Sequence, residues 1–492
     1  MNNTSNMQQV PITGILNKDI QHFRDIFKED ETILYREFRS RDNSINCCII
    51  FIDSMTDKDL LNEYVIEPII MNCINENIED ESIADFLTHR ILSSCNIKST
   101  DEQKEIISAV LRGDTVLLCD GSKEALIIDA KGWSIRNITE PASEGVVRGP
   151  REGFNESMDT NISLIRRKIN SEQLKFKFRE LGNITKTRIC ICYIQNLVSS
   201  EILDELNRRL DTIKIDGILE SGYIEELIKD HPWSVLNTIG YTERPDVIAG
   251  KLLEGRIALM VDGSPNVLTM PFIFMEYFQT NEDYYRNFIF SSLNRIIRII
   301  GFALTTSVPA IYVALTNFHS DLLPTKLLIS ISVAREGVAL PTIVEVLLML
   351  LTFEILREAG TRLPQNIGQT ISIVGALVLG EAAVTANIVS SPMVIIVATT
   401  AISCFLLPKM YSGLLIIRLI FLILASILGL YGYILGVMAI VFYLMSLKSF
   451  GVEYMLKTTS ISKEDAKDTV IRSSWLSLKK PKFIIRKGKN KQ

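Results

Sequence analysis

The sequence predicts two tandem-duplicated α/β lobes, followed by an α-helical membrane domain of five to six segments and a basic tail. Charged residues are unevenly distributed, since residues 288–447 contain 14 in 160 positions whereas the other 332 positions contain 95. The net charge also changes along the chain, from −15 over 1–287 to +2 over 288–447 and +8 over 448–492. In addition, the acidic part repeats itself at an offset of 142 residues. This organisation excludes a single soluble enzyme, a disordered chain and a small disulfide scaffold.

The internal repeat has no gaps over two long blocks. Residues 46–53 (NCCIIFID) align with 188–195 (RICICYIQ), and 111–122 (LRGDTVLLCDGS) align with 253–264 (LEGRIALMVDGS). Each copy contains short β-branched runs separated by amphipathic stretches, which is typical of strands that alternate with helices. Two matched blocks at one offset indicate a duplicated structural unit.

The repeat defines two cytoplasmic α/β lobes, at 1–135 and 161–287. Each copy has an Asp-Gly pair between its last two predicted strands, at 120–121 and 262–263. Glycine accepts the positive φ that a tight turn requires, so each pair predicts a two-residue hairpin.

A linker over 136–160 joins the two lobes and is rich in glycine, proline and arginine. The residues expected at the joint are Arg148, Gly149, Pro150 and Arg151. Glycines and arginines could also cradle an anion, but no GKS or GKT pattern at a helix start supports a nucleotide loop. A structural joint is therefore favoured over an anion site.

The helical transmembrane domain is predicted over 288–447. Its six apolar segments are 296–315, 338–356, 370–388, 392–408, 413–429 and 432–447, and the number falls to five if one is re-entrant. Lysine and arginine cluster at alternate ends of these segments, which predicts that the N-terminal domain and the tail over 448–492 are cytoplasmic. The first residues have neither a basic start nor an apolar run, so no secretory signal is expected.

Two carboxylates within the apolar segments are costly enough to indicate a function. Glu345 is predicted near the middle of its segment, with Thr352 two turns further along the same face. Glu381 lies among glycines and alanines, with Thr385 four residues on. These four residues are candidates for a pore, a cavity or a subunit interface, and a hydrogen-bonded packing role is the alternative. Near the inner boundary we expect a solvated or paired collar formed by Glu354, Arg357, Glu358 and Arg362.

No catalytic, cofactor-binding or metal-binding residue is expected. The four histidines are not spaced as metal ligands, and neither GxSxG nor a phosphate-loop motif occurs. The eight cysteines lie mostly in apolar runs and are interpreted as reduced core thiols. Basic residues between Lys479 and Lys491 flank Trp475 and Phe483, so the tail is expected either to lie against anionic lipid or to remain solvated. Nothing indicates binding to nucleic acid.

Five stretches of the sequence resemble the GerA family, the A subunits of bacterial spore germinant receptors. They are 144–169 (EGVVRGPREGFNESMDTNISLIRRKI), 216–228 (DGILESGYIEELI), 242–265 (TERPDVIAGKLLEGRIALMVDGSP), 334–364 (AREGVALPTIVEVLLMLLTFEILREAGTRLP) and 367–384 (IGQTISIVGALVLGEAAV). The resemblance implies residence in the inner spore membrane, assembly with a permease-like B subunit and a lipoprotein C subunit, and signalling that starts ion release. It also implies self-association into a homo-oligomer that acts as a nutrient-gated ion channel. The paralogous stage V sporulation protein AF resembles the same stretches.

Three functional hypotheses follow from this organisation. The protein forms or gates an oligomeric ion pathway, or it is a scaffold that organises a receptor without conducting, or it is a secondary transporter. A transporter should contain inverted repeats in its membrane half. The repeat lies only in the soluble half, which makes the transporter the weakest of the three hypotheses.

Overall fold

The computed structural model describes residues 12–71, 82–92, 96–132, 141, 144–362, 380–455 and 468–476. The chain divides into two compact units. An α/β unit contains Met1–Lys229 and Ile239–Pro271, and a helical unit contains Asp230–Thr238 and Phe272–Lys479. Residues 272–287, which the sequence assigned to the second lobe, thus belong to the helical unit. The physical reason is an aromatic cluster in which Phe274 and Phe278 pack edge-on against the ring of Phe302.

The α/β unit consists of two lobes, and each contains five antiparallel strands. The first lobe contains α1 (Leu16–Ile26), β1 (Ile33–Arg39), β2 (Asn46–Ile52), α2 (Lys58–Leu61), α3 (Glu67–Met71), α4 (Ile83–Phe86), β3 (Ile97–Thr100), α5 (Gln103–Leu111), β4 (Thr115–Cys119) and β5 (Ala125–Ile128). The second contains α6 (Met158–Lys168), β6 (Leu174–Leu181), β7 (Thr187–Ile194), α7 (Ser200–Thr212), α8 (Ser221–Ile228), β8 (Gly240–Thr242), α9 (Pro245–Leu253), β9 (Ile257–Val261) and β10 (Val267–Met270).

The strand orders of the two sheets correspond element by element. They are β1-β2-β4-β5-β3 in the first lobe and β6-β7-β9-β10-β8 in the second. The helices also correspond, because α6 and α9 begin and end 142 residues after α1 and α5. The predicted duplication into two similar lobes is therefore confirmed.

Alternation along the buried strands builds a core on each face of the first sheet. On β2, Cys48 and Ile50 pack with α1 and α5, whereas Cys47 and Ile49 pack with the helices on the opposite face. Successive side chains of a strand point to opposite faces, so a strand that is apolar throughout must be covered on both sides. Each of the six cysteines in the described residues is buried and free, as the sequence indicated.

The Asp-Gly pairs form turns, but the predicted two-residue hairpins are wrong. Five residues separate β4 from β5, and five separate β9 from β10. In the first connection the Ser122 N–H donates to the Cys119 carbonyl, and Gly121 adopts φ of 81°. That geometry fits a turn with glycine at its third position, and the chain then continues for two residues before pairing resumes.

The longer connection has a structural use in both lobes. The Asp120 carboxylate accepts a hydrogen bond from the N–H of Leu16, the first residue of α1, at 3.2 Å. The Asp262 carboxylate accepts the equivalent bond from Met158, the first residue of α6, at 3.3 Å. A carboxylate at a helix N-terminus satisfies an unpaired donor and interacts favourably with the helix dipole.

The helical unit contains six helices, α10 (Glu282–Tyr285), α11 (Phe288–Phe318), α12 (Thr325–Arg335), α13 (Thr342–Arg362), α14 (Ser391–Cys404) and α15 (Tyr411–Ser446), besides a short helical turn over 380–385 and one two-stranded ribbon, β11 (Lys448–Ser449) with β12 (Val452–Glu453), within the described residues. By length and composition, two helical segments could cross a membrane, Phe288–Phe318 and Pro408–Ser446. Most of the predicted segment 370–388 lies outside the described residues, and α14 has 14 residues. The total of five to six segments therefore stays a prediction.

Helix α15 folds back on itself at Gly429, whose backbone is non-helical with φ of 64°. The rings of Phe421 and Tyr433 are 5.5 Å apart, although twelve residues of straight helix would span about 18 Å. A Cβ on Gly432 would come within 2.1 Å of the Leu424 carbonyl oxygen, so the two limbs touch through glycine. The reversal agrees with the predicted boundary between segments 413–429 and 432–447.

The position of Glu345 differs from the prediction. Helix α13 begins at Thr342, directly after Pro341, so Glu345 lies in its first turn rather than near the middle of a segment. Proline has no N–H to continue a helix from the preceding residues, but it fits well at a helix start. The helix then runs to Arg362, six residues beyond the predicted end of the segment.

Candidate functional site

Glu345 is fully buried and connects two helix N-termini. Its Oε1 accepts hydrogen bonds from the backbone N–H and the hydroxyl of Ser390, both at 2.5 Å. Ser390 is the N-cap residue of α14, and Glu345 itself lies in the first turn of α13. Both helix dipoles therefore favour negative charge at this carboxyl group. This arrangement matches the packing role that the sequence left as the alternative.

The other oxygen of Glu345, Oε2, is buried and makes no hydrogen bond. The Tyr312 hydroxyl of α11 is also buried without a hydrogen-bond partner. The polar group that holds α13 to α14 thus lies next to hydrocarbon, where its orientation depends on Ser390.

Glu381 has a different environment. It is exposed, and it lies in the helical turn over 380–385. The Thr385 hydroxyl donates to the Glu381 carbonyl at 2.8 Å, so this threonine is satisfied by its own helix. Thr352 likewise donates to the Leu348 carbonyl at 2.8 Å. Among the described contacts, none joins Glu345 to Glu381, so the structure does not bring the four pore candidates into one cluster.

The predicted collar residues form a chain of ion pairs. Glu354 receives Arg357 Nε at 3.1 Å, and Glu358 receives Arg362 Nη2 at 2.7 Å. Glu354 also binds two groups of α15 that sequence reasoning did not connect with it, Arg418 Nη2 at 3.1 Å and the Tyr411 hydroxyl. The signal was present in the sequence, because a tyrosine and an arginine seven residues apart lie on one face of an apolar helix. The collar thus ties α13 to α15.

A second buried cluster lies at the start of α11. Arg295 is fully buried and pairs with Asp283 at 3.1 Å and with Asp468 at 2.9 Å. Arg298 pairs with Asp283 at 2.9 Å. Sequence reasoning placed both arginines at the inner end of the first segment but did not find their acidic partners.

Asp468 belongs to the basic tail, so part of this tail contacts protein. Described residues 468–476 pack against the start of α11, where the Tyr284 hydroxyl donates to Asp468 at 2.7 Å. The expected lipid contact of the tail is thereby corrected for this stretch. The basic residues from Lys479 to Lys491 lie outside the described residues.

The two lobes of the α/β unit are joined by charged groups of both lobes. The Arg166 guanidinium of α6 binds the Asp30 carboxylate and donates to the Thr32 hydroxyl at 2.9 Å. Next to it, Lys177 pairs with Glu29 at 3.2 Å. Burial acts to raise the pKa of Glu29, but the Lys177 ammonium outweighs it and lowers the pKa below the usual value.

The predicted joint itself lies along the second lobe. The buried Arg244 guanidinium donates to the carbonyl oxygens of Glu144 at 3.2 Å and Pro150 at 3.0 Å. Arg148, Gly149 and Arg151 are exposed. Gly149 has φ of 141°, a backbone conformation that favours glycine. Arg244 is therefore the residue that fixes the linker, and it was not among the residues expected there.

Comparison with known proteins gives a consistent result along almost the whole chain. The family model described as Bacillus/Clostridium GerA spore germination protein matches residues 21–483. Spore germination protein KA of Bacillus subtilis (strain 168) is 40% identical over 487 residues, covering 98% of this chain and 89% of the relative. Spore germination protein GerLA of Bacillus cereus is 37% identical, covering 96% of each chain.

Among solved structures, the chain is similar to the N-terminal domain of the A subunit of the Bacillus megaterium spore germinant receptor GerK3. The identity is 28%, the TM-score is 0.41, and the match covers 53% of this chain and 96% of that chain. The family match over 21–483 and the identity to the two full-length relatives confirm the resemblance found in the sequence. The chain belongs to the GerA family of spore germination proteins.

Proposed function

We propose that this protein is the membrane A subunit of a nutrient germinant receptor, and that it converts nutrient sensing into ion release by forming or gating an oligomeric ion pathway. Membership of the GerA family supports the receptor role. The proposal includes a permease-like B subunit and a lipoprotein C subunit as partners, and the inner spore membrane as the location. It includes no catalytic step and no cofactor.

The exposure of Glu381 is the observation that carries the ion pathway. In the helical unit, Glu354 is neutralised by two arginines, and Glu345 is capped by Ser390. Glu381 is instead exposed on a segment that is otherwise apolar and rich in small residues. An exposed carboxylate at membrane depth requires either a water-filled path or a polar partner.

A homo-oligomer would supply such a path. Repeating one heterologous interface about an axis closes a ring, and one carboxylate from each copy would then line its centre. Rings of Asp or Glu attract cations in ion channels. Glu345 is buried by its own chain, so Glu381 is the stronger candidate for the lining residue.

The test compares Glu381→Gln with Glu358→Gln in spores that contain equal amounts of receptor. Both substitutions remove one exposed carboxylate, but Glu358 belongs to the collar and pairs with Arg362. We expect Glu381→Gln to reduce nutrient-triggered potassium release and to alter cation selectivity, whereas Glu358→Gln has a small effect.

Unchanged release and unchanged selectivity in Glu381→Gln would contradict a carboxylate-lined pathway. That outcome would favour the scaffold, in which this chain organises the receptor and another subunit conducts. The ion pairs between the two lobes are the observation that suits a scaffold, because they hold a duplicated soluble unit together as one platform.

A further inference from the structure

Arg472 is a buried cation without an anion. Its side chain belongs to a residue that is 2% exposed, and its Nε and Nη2 atoms have no hydrogen-bond partner. No ion pair of Arg472 occurs among the described residues, and the Arg472 main chain is held by Ser292, whose hydroxyl oxygen accepts from the Arg472 N–H at 3.0 Å. A buried charge is costly unless it is paired. The position therefore requires a negatively charged group that this chain does not provide there.

The orientation of the guanidinium indicates the shape of the missing group. The Tyr284 and Trp475 rings lie 5.5 and 5.4 Å from its central carbon. Aromatic rings stack on a guanidinium and leave its N–H groups free in the plane. The two atoms without partners, Nε and Nη2, form one edge of the guanidinium and carry two parallel N–H groups. This edge binds the paired oxygens of a phosphate or carboxylate in bidentate fashion.

Arg295 adds a third donor and a charge argument. Its guanidinium lies 5.5 Å from the same Tyr284 ring, and its Nη2 is buried without a partner. The cluster contains three guanidinium groups, on Arg295, Arg298 and Arg472, but two carboxylates, on Asp283 and Asp468. One positive charge remains, so a singly charged anion would neutralise the cluster.

We propose that Arg472 and Arg295 bind a phosphate oxyanion, and that the headgroup of an anionic phospholipid supplies it. The cluster lies at the start of α11, a candidate membrane span. Apolar side chains beside it are exposed, among them Ile289 at 67%, Leu293 at 53% and Leu476 at 90%. A phospholipid would place its phosphodiester on the arginines and its acyl chains on these residues. Basic groups at the cytoplasmic ends of membrane helices bind lipid headgroups in this way.

Trp475 controls access to the site. Its ring covers Arg472 and is 64% exposed, and its indole N–H donates to the Tyr284 carbonyl at 3.4 Å. This single long hydrogen bond is weak, so the ring can move aside when the headgroup enters. Free inorganic phosphate offers the same oxyanion but gains nothing from the apolar residues, which separates the two sources of phosphate.

The experiment measures the thermal unfolding midpoint of the full-length protein in detergent, with added phosphatidylglycerol, phosphatidylcholine or inorganic phosphate. Phosphatidylglycerol should raise the midpoint of the unsubstituted protein, and phosphatidylcholine should raise it much less. Arg472→Met should weaken the apparent affinity for phosphatidylglycerol at least about tenfold, since charge-assisted hydrogen bonds are lost. Without lipid, Arg472→Met should be at least as stable as the unsubstituted protein, because it removes an unpaired buried charge.

Arg286→Met is the matched control. Arg286 lies near the same end of α11, but its guanidinium pairs with Glu282 at 2.5 Å. This variant should keep the full response to phosphatidylglycerol. A response to inorganic phosphate that equals the lipid response and depends on Arg472 would support the oxyanion site with free phosphate as its source. Persistence of the lipid response in Arg472→Met, or equal responses to the anionic and zwitterionic lipids, would overturn the proposal.

Discussion

Removal of Asp30 should destabilise the contact between the two lobes far more than its surface counterpart would suggest. The side chains of Asp30 and Arg166 are both inaccessible to solvent, and the Arg166 guanidinium lies 4.8 Å from the Phe176 ring. In Asp30→Ala the guanidinium stays buried with only the Thr32 hydroxyl as a partner. Breaking a buried pair on one side costs about 3–5 kcal/mol.

The duplication supplies an internal control for this prediction. Arg24 occupies in α1 the position that Arg166 occupies in α6, 142 residues later. Arg24 pairs with Glu37 at 3.7 Å, and both side chains are about half exposed, at 49% and 57%. Exposed pairs contribute about 0–1 kcal/mol. Glu37→Ala should therefore have little effect, although it removes the partner of the equivalent arginine.

Hydrogen exchange in the full-length protein measures both effects, because it reports the free energy of local opening. A loss of 3–5 kcal/mol corresponds to opening that is about a hundred-fold to several thousand-fold more frequent. Peptides from α1 and β6 should exchange faster by that factor in Asp30→Ala, and at nearly the original rate in Glu37→Ala. The double substitution Asp30→Leu with Arg166→Met should recover most of the protection, since it removes both charges. Equal exchange rates in Asp30→Ala and Glu37→Ala would refute the reasoning.

Three further predictions concern other parts of the fold. Gly432→Ala should lower the thermal midpoint of the protein, because a Cβ would come within 2.1 Å of the Leu424 carbonyl oxygen and force the limbs of α15 apart; an unchanged midpoint would contradict the folded-back helix. Ser390→Ala should cost about 1–3 kcal/mol, and a double-mutant cycle with Glu345→Gln should show non-additivity, whereas additive losses would mean that the two residues are not coupled. Burial raises the pKa of Cys48 from 9.0 to about 12; the folded state thus holds the proton more tightly, stability falls as pH rises from about 9 towards 12, and alkylation of this thiol at pH 8 should require unfolding.

The sequence repeat predicted the boundaries of many elements but not the way they pair. A gapless offset preserves element lengths, so α5 and α9 could be aligned before either was seen. The sheet order places β3 at the edge beside β5, which depends on contacts between distant residues and leaves no local pattern. The cap that Asp120 provides for Leu16, across 104 residues, was missed for the same reason.

Charged residues in the membrane half were found from composition, but their partners were not. Glu354 and Glu345 stand out because carboxylates are rare in apolar segments. Their environments were decided by Arg418 and Ser390, which approach from helices distant in sequence. Sequence spacing identifies neighbours on one helix, whereas contacts between helices depend on packing that periodicity does not encode.

The contact between the lobes also bears on the proposed oligomer, because it joins unlike surfaces of two similar bodies. The second lobe contributes Phe176, which is fully buried, whereas Leu34, its counterpart in the first lobe, is 40% exposed. The first lobe contributes Glu31, whose N–H donates to the Phe176 carbonyl at 3.1 Å along the edge strand β6. A contact of this kind is heterologous, and it leaves one surface of each type unused at the two ends of the pair. Heterologous contacts are those that close into rings when the rotation between copies permits it. The duplicated unit thus carries, within one chain, the type of interface that a ring of receptor subunits requires.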